Sequence, residues 1–191
     1  MRSPSEGSNP AGRLAGKPVT WRRALREIAS WCLWFAAAIV LATLIKTFLF
    51  EPIRVDGHSM ENTLMNDEIV IVTKPAYKAG RINRFDVVIC KYPERGDKLF
   101  VKRLVGLPGD TVAMTGGTLS VNGEVIDEPY IDHPPAYTMA PITLGEGEYF
   151  VLGDNRAASN DSHLIGPITR DMIVGHARLV AWPLSGIRTI Q

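Results

Sequence analysis

One long apolar segment stands near the start of the chain, and short runs of alternating apolar and polar residues fill the rest. The sequence IASWCLWFAAAIVLATLI, Ile28 to Ile45, contains eighteen residues without a charge. As a helix it would span about 27 Å, close to the hydrocarbon thickness of a bilayer. Trp31 and Trp34 suit a lipid–water interface, and the stem of Lys46 can reach the headgroups. The pattern predicts a membrane-spanning anchor over residues 28–50.

Two other interpretations of this segment are a buried core helix and a cleaved secretion signal. An uncharged run of this length is unusual in a soluble domain. A cleaved signal has a shorter apolar region that ends in small residues. Here Ala36, Ala37 and Ala38 lie in the middle, and bulky Phe48 and Phe50 stand at the end. The pattern therefore favours an anchor that stays attached.

The segment before the anchor, residues 1–27, is basic. It contains six Lys/Arg against two Glu, about +4, which leaves about −3 for the rest of the chain. Its first twenty residues are rich in Gly, Pro, Ser and Ala without an apolar period, which predicts disorder. Arg22, Arg23 and Arg26 immediately precede the anchor, so the tail is expected in the cytoplasm. Residues 51–191 would then lie on the outer face of the membrane.

The pattern of this outer domain is typical of β structure. Asn122-Gly123, between Leu119–Val121 and Val125–Ile126, is a strong signal for a two-residue hairpin. No long amphipathic helical period appears after the anchor. We expect a mainly β chain, in which one transmembrane helix precedes an outer domain built as an antiparallel β-sandwich or partly closed barrel. Other strand-like runs are Asp67–Lys74, Asp86–Tyr92, Leu99–Gly106, Tyr149–Leu152 and Ile173–Ala181.

Charge and cysteine content exclude several classes of function. A formal net charge of +1 gives no reason to expect a nucleic-acid partner. Two cysteines and four scattered histidines form no metal-ligand spacing, so no metal or other cofactor is expected. Cys32 lies in the anchor and Cys90 in a distant strand, which makes them poor disulfide partners.

Ser59 and Lys102 are the candidate reactive pair. A serine hydroxyl is a weak nucleophile at neutral pH and needs a base. Adjacent residues of an extended chain point to opposite faces, so His58 is a poor candidate for that base. Lys102 lies mid-strand in the most apolar surroundings of any lysine after the anchor, and burial can leave its amine unprotonated. Strand alternation predicts that Arg103 points the other way, towards water or an acidic partner.

Each of these features has an ordinary structural explanation when taken alone. A serine after glycine is usually a turn residue, and a Lys-Arg pair in a strand is usually solvated. The stretch Gly153–Ser162 is a polar loop dense in turn formers. The functional hypothesis rests on the order in which these segments follow an N-terminal anchor.

In that order the segments resemble the sequence blocks of type I signal peptidases over roughly Ala29 to Ile187. VDGHSMENTL, Val55–Leu64, is similar to the nucleophile block, and FVKRLVGLPGD, Phe100–Asp110, matches the lysine block almost residue for residue. GDNRAASNDSHLIGP, Gly153–Pro167, resembles the block that closes the site. RFDVVICKYP and AWPLSGI resemble two further blocks of the family.

The resemblance implies a role for each site residue. Ser59 would be the nucleophile and Lys102 its general base, with Ser159 hydrogen-bonded to the Lys102 amine. Arg103 and Asp154 would pair and brace two blocks, and Asp161 would be a structural carboxylate nearby. Shallow pockets for small side chains at the −1 and −3 positions of the substrate would be lined by Ile53, Val55, Met60, Leu64 and Val101. A small apolar pocket selects alanine because it excludes bulk.

Several positions depart from the family pattern. Ala157-Ala158 stands where Asp-Asn is frequent, and Asn62 replaces a common proline. His163 occupies the position of a usual arginine, which would make a pair with Asp161 weaker and dependent on pH. Gly57 stands where some members carry a serine that helps the oxyanion hole, so the backbone N–H of Ser59 is expected to serve instead.

The implied function is membrane-bound removal of signal peptides from preproteins that emerge from the secretion channel, at the bacterial cell membrane. The alternative is a dedicated maturation peptidase of a conjugation or pilus system with the same Ser-Lys pair. A self-cleaving repressor of the SOS type also uses Ser and Lys, but it has no anchor. A catalytically dead membrane module is disfavoured by the presence of Ser59, Lys102 and Ser159 together.

Overall fold

A computed structural model describes residues 21–48, 50–74 and 82–190 of the chain. Residue contacts divide the chain into two compact units, with the boundary between Ala42 and Thr43. The predicted disordered segment, residues 1–20, lies outside the described residues.

One long helix, α1, Trp21–Phe48, occupies the described part of the N-terminal unit and ends within the second unit. Its stretch Trp21–Ile45 is long and apolar enough to cross a membrane, and the most apolar eighteen-residue window within it has a mean hydropathy of 2.2. Large apolar side chains such as Trp31, Leu33 and Phe35 are at least 70% exposed, as lipid contact requires. The helix begins seven residues before the predicted anchor, because the preceding Arg, Ala, Leu and Glu residues are good helix formers. It ends at Phe48, so Phe50 belongs to the first strand instead of the anchor.

The second unit is built from β-strands, twelve of which lie in the described part of the chain. They are β1 Phe50–Arg54, β2 Ile69–Thr73, β3 Val87–Lys91, β4 Leu99–Gly106, β5 Thr111–Thr115, β6 Thr118–Val121, β7 Glu124–Val125, β8 Met139–Thr143, β9 Glu148–Leu152, β10 Ile168–Thr169, β11 Ile173–Trp182 and β12 Arg188–Thr189. A four-residue helix, α2, Ser162–Ile165, lies between β9 and β10.

The strands form two antiparallel sheets. The larger has the order β1-β2-β11-β3-β4-β9-β10, with β12 paired to β11, and it curves into a half-barrel. The smaller has the order β7-β6-β5-β8. In the larger sheet Lys102 of β4 lies opposite Val88 of β3, and Arg103 lies opposite both Val87 and Leu152. The prediction of a mainly β, antiparallel, partly closed barrel behind an apolar helix is confirmed.

The predicted strands agree with the structure to different degrees. The bounds of β4 are those predicted, and β6 and β7 form the predicted hairpin around Asn122 and Gly123, whose φ angles are +56° and +83°. Both central residues of a type I′ turn require positive φ. The sequence prediction missed β1, β5, β8 and the two-residue strands β10 and β12. Of these, β1 and β8 each contain a proline, Pro52 and Pro141, which weakens a strand signal.

A buried cluster under the larger sheet fixes the segment that carries Ser59. Val55, Met60 and Leu64 are at most 4% exposed and pack with strand residues that include Val72 and Val101. Each buried aliphatic side chain contributes about 1.5–3 kcal/mol. The turn between β1 and β2 is therefore held against the sheet by apolar burial on both sides of Ser59.

Candidate active site

Ser59 lies in a turn that hydrogen bonds close at both ends. The Val55 N–H donates to the Glu68 carbonyl at 2.8 Å, and the Asp67 N–H donates to the Val55 carbonyl at 2.9 Å. The Leu64 N–H donates to the Met60 carbonyl at 2.7 Å. Because the turn is anchored by backbone bonds and by apolar side chains, the Ser59 hydroxyl is held in a defined place.

Lys102 meets Ser59 from the middle of β4. The strand lies between β3 and β9, so the Lys102 side chain is enclosed and the residue is only 2% exposed. Its Nζ donates to Ser59 Oγ at 2.6 Å. The structure thus brings together two residues 43 positions apart that the sequence named as nucleophile and base.

Burial lowers the pKa of Lys102 below its usual 10.5, because the low-dielectric surroundings disfavour the ammonium form. Asp161, Cys90 and Asp154 act in the opposite direction, since negative charge nearby favours the protonated amine. The effect of burial is the larger one. Lys102 is therefore more readily neutral than a surface lysine, as a general base requires.

Of the two environments expected for Arg103, water or an acidic partner, the structure shows the acidic partner, and the residue is buried with it. It is 1% exposed and forms two parallel bonds to Asp154, Nε to Oδ1 at 2.9 Å and Nη2 to Oδ2 at 2.8 Å. Its Nη1 donates to the Phe85 carbonyl at 3.0 Å, and its guanidinium lies 3.9 Å from the ring centroid of Tyr130. Thr63 donates from Oγ1 to Asp154. The pair thus braces the lysine strand against the loop after β9.

The loop Gly153–Ser162 closes the site from the other side. The Asn155 N–H donates to the Ser59 carbonyl at 3.0 Å. Asp161 is fully buried, and its Oδ2 accepts from the Gly153 N–H at 2.8 Å. A Cβ added to Gly153 would lie 2.5 Å from the Ser59 carbonyl oxygen and 2.6 Å from Ser159 Cβ. Only a glycine therefore lets this loop approach the Ser59 turn so closely.

Ser159 is 6% exposed, and its Oγ makes no hydrogen bond with any described residue. The predicted bond from Ser159 to the Lys102 amine is therefore not formed in this structure, in which Lys102 Nζ donates to Ser59. Buried hydroxyls without a partner are uncommon and expensive. The position of Ser159 beside Gly153 leaves it close to the Ser59 turn.

A groove of about 510 Å³ opens beside Ser59. Of the five predicted substrate-binding residues, four line it: Ile53, Val55, Met60 and Val101. Leu64 is not among the residues that line the groove; it is fully buried in the cluster behind it. Its prediction as a lining residue is wrong because the turn directs this side chain into the core. Charged residues at the groove are Arg54, Asp56, Asp97 and Lys98.

Three departures from the family pattern have a structural explanation. Gly57 has φ +110°, a conformation in which a side chain is strained even though no atom lies within 4 Å of the place that a Cβ would occupy. Asn62 has φ +85°, which proline cannot adopt because its ring fixes φ near −65°. His163 does pair with Asp161, with 2.5 Å between Nδ1 and Oδ1. Nothing in the structure explains Ala157-Ala158.

Three contributors to the site were not found from the sequence. Thr63 joins the Arg103–Asp154 pair, Tyr130 stacks on the Arg103 guanidinium, and the Asn155 backbone holds the Ser59 carbonyl. Thr63 and Asn155 lie within blocks that resemble the family, but no local pattern marks the contacts that they or Tyr130 make. His58, the rejected base, is largely exposed and contacts Glu61, with 2.5 Å between Nδ1 and Oε1.

Comparisons with known proteins show which proteins this chain resembles. Residues 28–182 match the family model described as signal peptidase, peptidase S26. The chain is 40% identical over 173 residues to signal peptidase I of Bacillus licheniformis, covering 85% of this chain and 92% of that protein. It is 37% identical over 177 residues to signal peptidase I S of Bacillus subtilis strain 168, covering 85% and 94%. A signal peptidase I structure from Enterococcus faecalis V583 is 32% identical, with a TM-score of 0.43 over 50% of this chain and 96% of that chain.

Proposed function

The chain belongs to the signal peptidase family, peptidase S26, and from this premise we propose that it cleaves signal peptides from preproteins by a Ser59–Lys102 acyl-enzyme mechanism. Its relatives are bacterial signal peptidases, which makes it a serine protease. These relatives do not favour the alternative considered in the sequence analysis, a dedicated maturation peptidase of a conjugation or pilus system. The 2.6 Å contact between Lys102 Nζ and Ser59 Oγ carries the mechanistic part of the proposal.

Acylation begins when neutral Lys102 takes the Ser59 proton as Oγ attacks the carbonyl carbon of the residue at −1. The Oγ–C bond forms, the peptide C–N bond breaks, and the leaving amine takes the proton from Lys102. The backbone N–H of Ser59 holds the oxyanion, because Gly57 carries no side-chain donor. Water then attacks the acyl-enzyme with Lys102 again as base, which releases the signal peptide and restores Ser59.

Ser159 is proposed as the second partner of the Lys102 amine. Once Ser59 Oγ is acylated, it no longer orients the Lys102 amine through the present hydrogen bond. The amine then needs another oxygen to orient it. The buried, unpartnered hydroxyl of Ser159 lies beside Gly153, which is itself in contact range of the Ser59 backbone. A bond to Lys102 would satisfy that hydroxyl at the stage where the base must activate water.

The groove beside Ser59 is proposed to bind the residues at −1 and −3. Its apolar lining by Ile53, Val55, Met60 and Val101 supports small, uncharged side chains there. A pocket of this kind discriminates because it excludes larger groups. Each methylene that does not fit weakens the binding of the transition state by roughly 1–3 kcal/mol. Substrates with Ala at both positions should therefore be preferred over substrates with Leu or Phe.

The helix α1 is proposed as a single membrane anchor with the N-terminus inside and residues 51–191 on the outer face. Its apolar stretch supports membrane attachment, and the arginines at its start support this orientation. Attachment holds enzyme and preprotein on the same membrane, which raises the effective concentration of the cleavage site.

The test is cleavage of a secretory preprotein by the full chain in detergent, with wild type, Ser59→Ala and Lys102→Ala compared. Both substitutions should reduce cleavage by at least about a thousandfold, since members of a catalytic unit act together. Lys91→Ala is the matched control, because Lys91 is an exposed lysine on the neighbouring strand. It should cleave like wild type.

Three results would count against the mechanism. Activity that survives Ser59→Ala excludes Ser59 as nucleophile. Loss with Ser59→Ala but not with Lys102→Ala excludes Lys102 as base. A rate that does not change between pH 5 and 9 is incompatible with a lysine base of lowered pKa, which must lose activity as it becomes protonated at low pH.

A further inference from the structure

Strand β12 brings an arginine from a distant part of the chain to the turn that carries Ser59. The strand pairs with β11 in the larger sheet. Directly after it, the Ile190 N–H donates to the Arg178 carbonyl at 3.0 Å, and the Ile190 side chain packs against the buried cluster under this sheet. These contacts fix the backbone of β12, from which the Arg188 side chain reaches the Ser59 turn.

The Arg188 guanidinium holds this turn at two points. Its Nη1 and Nη2 donate in parallel to the two carboxylate oxygens of Glu68, at 2.7 and 2.8 Å. Nη2 also donates to the backbone carbonyl of Thr63 at 2.8 Å. Glu68 is itself fixed, since its Oε2 accepts from the Met65 N–H at 3.0 Å. Because a guanidinium is a planar, rigid fork of donors, these bonds set a direction as well as a distance.

The peptide group between Thr63 and Leu64 connects Arg188 to the nucleophile. Its carbonyl accepts from Arg188, and its N–H, that of Leu64, donates to the Met60 carbonyl at 2.7 Å. Met60 follows Ser59 directly in the chain. A peptide group is a rigid plane, so a bond that fixes its carbonyl also fixes its N–H. Arg188 therefore orients the bond that this peptide makes beside Ser59.

The side chain of Thr63 is held from within the domain by the buried ion pair. Its Oγ1 donates to Asp154 and accepts from Arg103 Nη2 at 3.2 Å. The ion pair thus fixes the side chain of this residue, whereas Arg188 fixes its carbonyl. Without Arg188 the peptide group after Thr63 keeps its bond to Met60 but loses the bond to its carbonyl, and its plane can tilt.

We propose that Arg188 is a positioning residue for the cleavage reaction: it holds the peptide between Thr63 and Leu64 so that the Ser59 hydroxyl faces Lys102 Nζ. This inference rests on the proposed role of Ser59 as nucleophile. Misplacement of a reacting atom by about 1 Å can lower the rate by about a hundredfold. The groove for the substrate is formed by β1 and β4 as well as by the turn, so a tilt in the turn should lower kcat more than it raises KM.

A matched arginine elsewhere in the domain provides the control. Arg84 donates from Nη1 to the Val105 carbonyl at 2.9 Å and contacts the two carboxylate oxygens of Asp110 at 2.8 and 3.2 Å. The side chains of this pair are 25% and 11% exposed, against 40% and 9% for Arg188 and Glu68. The two arginines therefore make the same types of contact at similar burial, but Arg84 braces the end of β4 and not the turn that carries the nucleophile.

The experiment measures kcat and KM for a secretory preprotein with the full chain in detergent, and Tm by circular dichroism, for wild type, Arg188→Met and Arg84→Met. Methionine has a similar length and lacks the guanidinium. Arg188→Met should lower kcat by at least about tenfold and change KM by less than about threefold. Arg84→Met should lower Tm by a similar amount to Arg188→Met but keep kcat within about twofold of wild type.

Arg188→Lys separates the effect of charge from that of geometry. An ammonium keeps the positive charge beside Glu68, but it cannot form two parallel bonds and also reach the Thr63 carbonyl. The kcat of Arg188→Lys should therefore lie between those of wild type and Arg188→Met. This variant also replaces Arg188→Met in the comparison if Arg188→Met does not fold.

Three results would overturn the inference. The first is a kcat within about tenfold of wild type in a folded Arg188→Met variant. The second is an equal fall of kcat in Arg84→Met and Arg188→Met at an equal loss of Tm, which would mean that general destabilisation lowers the rate. The third is the full wild-type kcat in Arg188→Lys. Cleavage that survives Ser59→Ala would show instead that the proposed function has failed.

Discussion

Replacement of Arg103 by methionine tests whether the buried ion pair with Asp154 holds the site together. Methionine has a similar length and is apolar, so the change removes the guanidinium without a large cavity. Asp154 is 2% exposed and would keep only the Thr63 hydroxyl of its present side-chain donors. The Phe85 carbonyl would lose its bond from Nη1, and Tyr130 would lose the stacked cation.

The expected loss follows from these contacts. Removal of one partner of a buried pair costs about 3–5 kcal/mol, because the other charge is left buried and uncompensated. For a protein of this size, about 1 kcal/mol corresponds to roughly 2–4 °C, so Tm should fall by about 6–20 °C. Arg103→Lys keeps a charge but cannot form two parallel bonds, and a smaller loss is expected.

The assay is thermal and urea unfolding of the full chain in detergent, monitored by circular dichroism. Arg54→Met provides a matched control: Arg54 pairs with Asp67 at 2.8 Å, but the side chains are 70% and 60% exposed. An exposed pair of this kind contributes about 0–1 kcal/mol. Arg54→Met should therefore shift Tm by no more than about 4 °C.

The reasoning would be refuted by one clear pattern. If Arg103→Met and Arg54→Met lower the free energy of unfolding by the same small amount, the buried pair does not brace the structure. A double variant, Arg103→Met with Asp154→Leu, gives a second test. It should recover part of the lost stability, because it leaves no unpaired charge in the core.

Three further changes have defined outcomes. Lys102→Met should abolish cleavage and raise Tm. The difference in Tm between the variant and wild type should widen as the pH falls below 10.5, because the lysine of the unfolded chain takes up a proton there and the buried lysine does not. Equal pH profiles of Tm would contradict this. Gly153→Ala should reduce kcat/KM by about a hundredfold in the cleavage assay, since its Cβ would displace the Ser59 turn; wild-type kinetics would show that the loop can move freely. Asn62→Pro should cost more than about 1 kcal/mol in urea unfolding because φ is +85° there, whereas Asn62→Gly should be tolerated.

The sequence predicted much of the fold because its local patterns are strong. The run Ile28–Ile45 contains no charge, so a helix long and apolar enough to cross a membrane follows from composition. The β-branched run of β2 and the Asn122-Gly123 turn each select a backbone conformation without help from distant residues. The missed strands β1, β5, β8, β10 and β12 have weaker local signals, and pairing with neighbouring strands in the sheets determines them.

Part of the active site was also readable from the sequence. Resemblance identified Ser59 and Lys102, and an apolar strand around a lysine is itself a sign of an unusual amine. Alternation along β4 predicted that Arg103 would face water or an acidic partner, and Arg103 does meet the acidic Asp154. What alternation could not show is that this partner is buried, because a strand covered on both faces buries both sets of side chains. Leu64 was misplaced because a turn does not follow the period of a strand.

What the sequence by itself determined is therefore the set of elements and the chemical types available: an apolar helix, a β domain, a serine and a lysine in typical blocks. Tertiary structure decided which of these groups meet. The 2.6 Å contact across 43 residues, the loss of solvent around Lys102 and the stack of Tyr137 on His163 all depend on long-range packing. Burial and proximity are properties of the assembled sheet and loops, and no local stretch of sequence encodes either one alone.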